Sequence, residues 1–188
     1  MSRDTDLLFA IGTMRFIPRM WRQFYLKDTA NLAEHNNRVV WIALVLATRT
    51  AKTRPVDIGR VLQLALMHDM DEIRTGDVQP LTRRYTIRKS DEAVADTIAG
   101  TSVEELMASL HQEMKEKMTI EAQLAKDADI LDVDLEMLEL AFMGHKFGSD
   151  FTDIRDKIRK LTTDAARDLL DEILQAKAED WFRPAYNL

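Results

Sequence analysis

Residues 64–77 read LALMHDMDEIRTGD, an apolar run that stops abruptly at two metal-competent side chains and a cluster of carboxylates. From Val61 to Met67 only Gln63 is polar, which marks the end of a largely buried element. In a helix, His68 lies above Leu64 and Ala65, and Asp69 above Ala65 and Leu66, so both side chains point toward the interior. An ionised carboxylate there is costly unless it is paired or bound to a cation, and a histidine at the same depth supplies the second ligand of a divalent metal site. The competing reading is a helix C-terminus that emerges into solvent, with His68 near the negative end of the dipole and Asp69 in water.

The flanking sequence brings further residues to this point. Pro55 and the candidate cap Asp57 open the helix that carries the apolar run, expected from Ile58 to about Met70. Upstream, Asn31 and Glu34 form a capping pair for a helix from Leu32 to about Ala51. His35, Val39, Ile42 and Leu46 recur at i, i+4, i+7 and i+11, so His35 looks inward. The short KTRPVD connection makes the two helices antiparallel neighbours and sets His35 within reach of His68 and Asp69. Glu72 shares the face of His68 if the helix continues, and Thr75-Gly76-Asp77 then forces a turn.

Two other stretches bear on the site. RFIPRMWRQFYLKDTAN, residues 15–31, follows a short helix over 5–14 and is rich in arginine and aromatics. Arg15, Arg19 and Arg22 with Trp21, Phe24 and Tyr25 could line an anion site with apolar walls; the plainer alternative is an aromatic cover on the core with the arginines in water. Farther on, Thr119 caps a long helix from Ile120 to Phe142, whose seam of Leu124, Ala128, Leu131, Leu135, Leu138 and Phe142 suits core packing or dimerisation. Asp127, Asp129, Asp132 and Asp134 crowd its first half, and periodicity places Asp129 and Asp132 on the flank of the seam without choosing between them.

The remaining segments read more plainly. Residues 79–90 are a polar, basic loop or short helix with Arg83, Arg84, Arg88 and Lys89. Helices are expected over 91–98 and 102–117, the second opened by a capping box of Ser102 and Glu105, with His111 exposed. Two amphipathic helices, roughly 153–161 and 164–179, supply packing and dimer surface.

Composition bounds the class. With 188 residues, only 6 Gly and 4 Pro, and abundant helix formers, the chain is read as one all-α domain over 1–188, without repeats or an interdomain linker. A formal charge of −6 disfavours nucleic-acid binding, while still allowing a small anion held by local Arg or Lys. The absence of cysteine excludes disulfides and thiolate chemistry. No secretory signal is visible and no stretch approaches the ~20 apolar residues that span a bilayer, so the expectation is a cytoplasmic protein without a membrane partner.

Taken together, LAEH at 32–35, LMHDMDE at 66–72, TGD at 75–77 and KDADILD at 126–132 resemble the HD-domain metal-dependent phosphohydrolases. The match is closest to the branch containing the bacterial 5′-deoxynucleotidases, and with IPRMW at 17–21 it runs over about residues 7–145. This resemblance implies a compact helical bundle with the helices of 150–180 packed on that core. It implies His35, His68, Asp69 and Asp129 as ligands of one divalent transition metal ion, Co, Mn, Fe, Ni or Zn; it is the resemblance that selects Asp129 over Asp132. Glu72 matches the residue that orients the attacking water, Arg19 the phosphate-contacting arginine, and Asp77 the carboxylate near the sugar. The position after that arginine, Trp in some members, is Met20 here, with Trp21 next to it. The implied activity is release of phosphate from (deoxy)nucleoside 5′-monophosphates by a homodimer. The alternatives are an HD phosphohydrolase acting on another phosphomonoester or a phosphodiester, and a non-catalytic metal-containing regulatory protein.

Overall fold

The computed structural model describes residues 3–27 and 29–186. They form ten α-helices: α1 (Asp4–Gly12), α2 (Leu32–Thr50), α3 (Ile58–Met67), α4 (Glu72–Thr75), α5 (Pro80–Arg83), α6 (Ser90–Ile98), α7 (Glu104–Glu116), α8 (Ile120–Phe142), α9 (Lys146–Ile158) and α10 (Asp164–Gln175), with short 3-10 turns between α1 and α2 and near the end. The all-α expectation holds. Among the described residues, extended pairing is confined to an isolated bridge between Pro18 and Asn31. No described helix is long and apolar enough to cross a membrane.

The core is the junction of α2, α3 and α8. Val39, Leu46, Leu64, Ala65, Leu124, Ala128 and Leu131 interlock there with no exposed surface. The first half of the α8 seam is taken up by core packing, Leu135 and Leu138 are partly buried against it, and its last member, Phe142, is largely exposed. Caps fix where the elements begin. Asn31 Oδ1 accepts from Glu34 N at 3.0 Å while Glu34 accepts from Asn31 N at 2.9 Å, Asp57 accepts from Arg60 N at 3.0 Å, and Thr119 accepts from Ala122 N at 3.1 Å.

Three local expectations are corrected. The Ser102–Glu105 capping box does not form: α7 starts at Glu104, because Ser102 N donates instead to Asp4 Oδ1 at 2.7 Å and Glu104 accepts from Gly100 N at 2.6 Å. His111 is half-buried and 2.8 Å from Asp91, not free in water. The third concerns the organising helix, which ends at Met67 instead of continuing to about Met70. His68 Nδ1 turns back onto the Ala65 carbonyl at 2.7 Å, and the bonds Met70 N to Met67 O and Glu72 N to Asp69 O, each 3.0 Å, tighten the chain into a turn. Glu72 thus arrives on its own short helix, α4, and not by the helical phase of α3.

Helix α9 begins earlier than its sequence suggests, at Lys146, and is pinned to α8 at two places. Gly148 lies so close that a Cβ there would sit 2.5 Å from the Met137 carbonyl oxygen and 2.6 Å from Ala141 N. Farther along, the buried Asp134 accepts from Arg155 at 3.0 Å and from Arg159 at 2.7 Å. Both atoms facing Gly148 are backbone and cannot rotate away. Gly148→Ala is therefore expected to cost about 1–3 kcal/mol in urea unfolding, the usual penalty of overpacking; an unchanged midpoint would mean that α9 does not depend on this close approach.

Candidate metal centre and its cavity

Four side chains from three parts of the chain meet at the base of the core. The first turn of α2 gives His35, the turn after α3 gives His68 and Asp69, and α8 gives Asp129. One ligand atom from each lies within 4.8 Å of the others. His35 Nε2 is 3.3 Å from Asp69 Oδ2 and 3.3 Å from Asp129 Oδ1, while His68 Nε2 is 3.1 Å from Asp69 Oδ2 and 3.9 Å from Asp129 Oδ1. Ligands about 2.0–2.2 Å from one ion are separated by roughly 3–3.5 Å, so the spacing fits a single cation. The solvated helix-end reading of His68 and Asp69 is not what the structure shows, since the His68 side chain is almost wholly buried.

Hydrogen bonding fixes which histidine nitrogens face the centre. Ala65 O can only accept, so His68 Nδ1 carries the proton it donates across 2.7 Å. His35 Nδ1 lies 2.6 Å from Asp132 Oδ2 and is the donor of that pair. Both Nε2 atoms, 3.2 Å apart, are left to face each other. Burial lowers the affinity of His35 for a second proton, but bonds to Asp129, Asp132 and Asp69 outweigh it and raise its pKa well above the usual range. His68 is likewise raised, its burial outweighed by Asp69 and Asp129. Burial would raise Asp129, yet Lys126 and the two imidazoles hold it well below the usual carboxylate range. The cluster thus demands positive charge at its middle, and two imidazoles with two carboxylates are a mixed nitrogen and oxygen set suited to a divalent transition metal.

The centre opens into a cavity of about 730 Å³. Its lining includes the cations Arg19, Arg83, Arg88 and Lys126 and the apolar side chains Met20, Phe24, Val133, Phe151, Ile154 and Ile158. Arg19 is delivered by the 15–31 segment, which is stitched to itself by Arg19 N to Ala30 O and Leu32 N to Ile17 O. Asp77 Oδ2 holds both Arg19 Nη1 and Met20 N at 3.0 Å. Arg88 donates to Asp71 and, at 3.2 Å, to Glu72 Oε1. Three buried polar atoms here have no protein partner: Arg19 Nε, Arg88 Nε and Glu72 Oε2. Such orphans are costly unless a ligand or water completes them.

The structure sorts the sequence candidates. Arg19, Met20, Trp21, Asp77 and Glu72 all border the cavity with His68, Asp69 and Asp129. Trp21 has its polar edge turned away, because Nε1 donates to Glu136 Oε2 at 2.8 Å; it contributes an apolar face beside Phe151. Of the three arginines considered for an anion site only Arg19 enters: Arg15 lies 4.7 Å above the Phe16 ring, Arg22 lines a separate groove with it, and Tyr25 is 97% exposed. Both readings of that segment hold in part, since Trp21 and Phe24 also pack with Phe147 as a cover. Asp129 and Asp132 divide the two sides of His35. Sequence reasoning missed Lys126, whose Nζ is 2.6 Å from Asp129 Oδ2, although its i, i+3 spacing was readable. It also missed α9 as a cavity wall, for which only long-range packing is responsible.

A protein-family model described as HD domain matches residues 11–169, and the chain belongs to that family. Among curated proteins it is similar to the human 5′-deoxynucleotidase HDDC2, 26% identical over 157 residues that cover 79% of this chain and 74% of that protein. It is also similar to the 5′-deoxynucleotidase VV1113 of Vibrio vulnificus, 27% identical over 158 residues that cover 77% and 80% of the two chains. A solved structure from Pyrococcus horikoshii superposes with a TM-score of 0.76 at 25% identity, covering 90% of this chain and 97% of that one.

Burial, with Asp69 and Asp77 adding to it, pushes the Glu72 carboxyl from 4.5 up to about 9, against the pull of Arg88 and Arg19. A carboxyl that gains proton affinity on folding makes the folded state hold more protons between those two values, so its contribution to stability falls as pH rises through that window. In metal-free protein, Glu72→Gln should therefore gain stability relative to the parent as pH moves from 5 toward 9. Parallel urea midpoints for the two proteins across that range would show that Glu72 ionises freely in the folded state.

Proposed function

We propose that the chain is a metal-dependent phosphohydrolase that releases phosphate from nucleoside 5′-monophosphates, deoxy forms preferred, with His35, His68, Asp69 and Asp129 holding one Co, Mn, Fe, Ni or Zn ion. The observation that carries the reading is the coincidence, in one cavity, of that four-residue cluster with the orphaned atoms of Arg19, Arg88 and Glu72. A purely structural metal site needs neither an unpaired carboxylate oxygen nor unpaired guanidinium donors at its mouth.

When bound, the ion would supply Lewis acidity to a phosphoryl oxygen and lower the pKa of water at the site. Everything else falls to the chain. Glu72, with Oε2 free, takes the proton of the attacking water; its high proton affinity falls as positive charge enters beside Asp69, leaving it ionised and basic. General-base help of this kind is typically worth ~10²–10⁴, far below enhancements of up to ~10²¹ known for phosphate monoesters, so charge stabilisation carries most of the barrier reduction. Arg19, through its unpartnered Nε, and Lys126 line the same cavity and would bind the non-bridging oxygens, with Arg88 next to Glu72. Met20 and the Asp77 carboxylate border the place of the sugar, and the Phe24–Phe151–Ile154 wall offers apolar faces for a base.

Homodimer formation belongs to the same proposal. Trp41 and Val45, one turn apart on α2, are exposed and offer an apolar stripe outside the cavity, and sedimentation of the full chain reads the oligomeric state directly.

Phosphate release from metal-reconstituted protein, measured on paired ribo- and deoxyribonucleoside 5′-monophosphates with a 3′-monophosphate and a bis-ester as controls, is expected only with the 5′-monophosphates. Turnover of the bis-ester alone would replace the proposed substrate class, and silence with every metal would favour a regulatory role. Glu72→Gln is expected to retain the metal and lose at least ~10²-fold in kcat. Arg19→Ala should raise KM and lower kcat together; unchanged kinetics would move phosphate binding elsewhere.

A further inference from the structure

Asp132 is a fully buried carboxylate that takes no part in the four-residue cluster. It lies almost one helical turn beyond Asp129 on α8, on the opposite side of the His35 ring. Its Oδ2 is 2.6 Å from His35 Nδ1, and its Oδ1 is 2.5 Å from Arg38 Nε. Arg38, one turn beyond His35 on α2, also donates to Glu139 and lines a groove of about 430 Å³ that no residue of the four-residue cluster borders.

We infer that Asp132, clamped by Arg38, is a positioning residue that fixes the His35 ring with Nε2 toward Asp69 and Asp129 and strengthens it as a donor to a divalent ion. The inference rests on the metal-centre reading above. A carboxylate opposite Nδ1 settles the tautomer and raises the basicity of the other nitrogen. The two histidines are not treated alike: His68 Nδ1 faces the neutral Ala65 carbonyl, whereas His35 Nδ1 faces a full negative charge. Because Arg38 occupies the second oxygen, the carboxylate cannot swing away from the ring. A tie between α2 and α8 alone would be met by Arg38 and the exposed Glu139 at the surface; a further buried carboxylate is costly unless both its oxygens are satisfied, and the imidazole donor satisfies the one that Arg38 leaves.

The test compares full-length parent, Asp132→Asn and Arg38→Gln for Zn²⁺ affinity by chelator competition, for the visible spectrum of bound Co²⁺, and for metal-free helicity and thermal midpoint. Asp132→Asn should bind Zn²⁺ about 10–100-fold more weakly and shift the Co²⁺ bands while its metal-free fold is kept. Arg38→Gln should lose affinity in the same direction and less. Parental affinity and an unshifted Co²⁺ spectrum in Asp132→Asn overturn the inference; should that variant not fold, the same result in Arg38→Gln overturns it. A parent that takes up neither metal removes the metal-centre reading itself, an outcome distinct from a metal-binding parent with an equally competent Asp132→Asn.

Discussion

Two imidazole nitrogens that face each other at 3.2 Å, with a carboxylate oxygen from each of two other positions beside them, set the conditions for the rest of this structure. Such a constellation is repulsive among its lone pairs and anionic overall, and it holds together only around positive charge. It also needs donors and acceptors of the right kind on its outer side, which the Ala65 carbonyl and Asp132 provide. The termination of α3 follows from the same demand. A helix continuing regularly would carry His68 and Asp69 onward in phase, whereas the turn at 68–71 lets both present their heads to one point and then restarts the chain so that Glu72 enters the cavity from α4.

Charge is balanced locally in a molecule that is acidic overall. Asp77 holds Arg19, Asp71 holds Arg88, and Asp129 holds Lys126, so these three cations of the cavity are each tethered by a carboxylate yet retain unused donors. This keeps positive groups in a buried place without full neutralisation, and it gives an incoming anion partners already held in position. The apolar lining residues contribute shape and apolar surface, so a ligand that combines a highly charged group with a flat apolar one matches the chamber better than a uniformly polar one.

Much of this was readable from the residues. Caps at Asn31, Asp57 and Thr119 carry their signal within four positions, and the inward phase of His35 follows from its spacing to Val39, Ile42 and Leu46. The meeting of His35 with His68 follows from a short loop between antiparallel helices. What periodicity could not give was the choice between Asp129 and Asp132, since both lie on one flank of α8 and differ only in which nitrogen of His35 they reach. The Ser102 box failed because a competing acceptor, Asp4, is 98 residues away in sequence. The role of α9 depends on Gly148 and on Asp134 meeting Arg155 and Arg159, contacts with no local signature.

That attachment of α9 has a consequence for how such a protein can diversify. The cluster residues come from α2, the α3–α4 turn and α8, whereas Phe151, Ile154 and Ile158 project from a helix fixed by a glycine contact and two arginines outside the cluster. Exchanges at Ile154 or Ile158 can therefore resize the chamber without touching the elements that carry the cluster. Selectivity and chemical competence are then separable traits, open to independent drift in descendants and to independent adjustment at the bench.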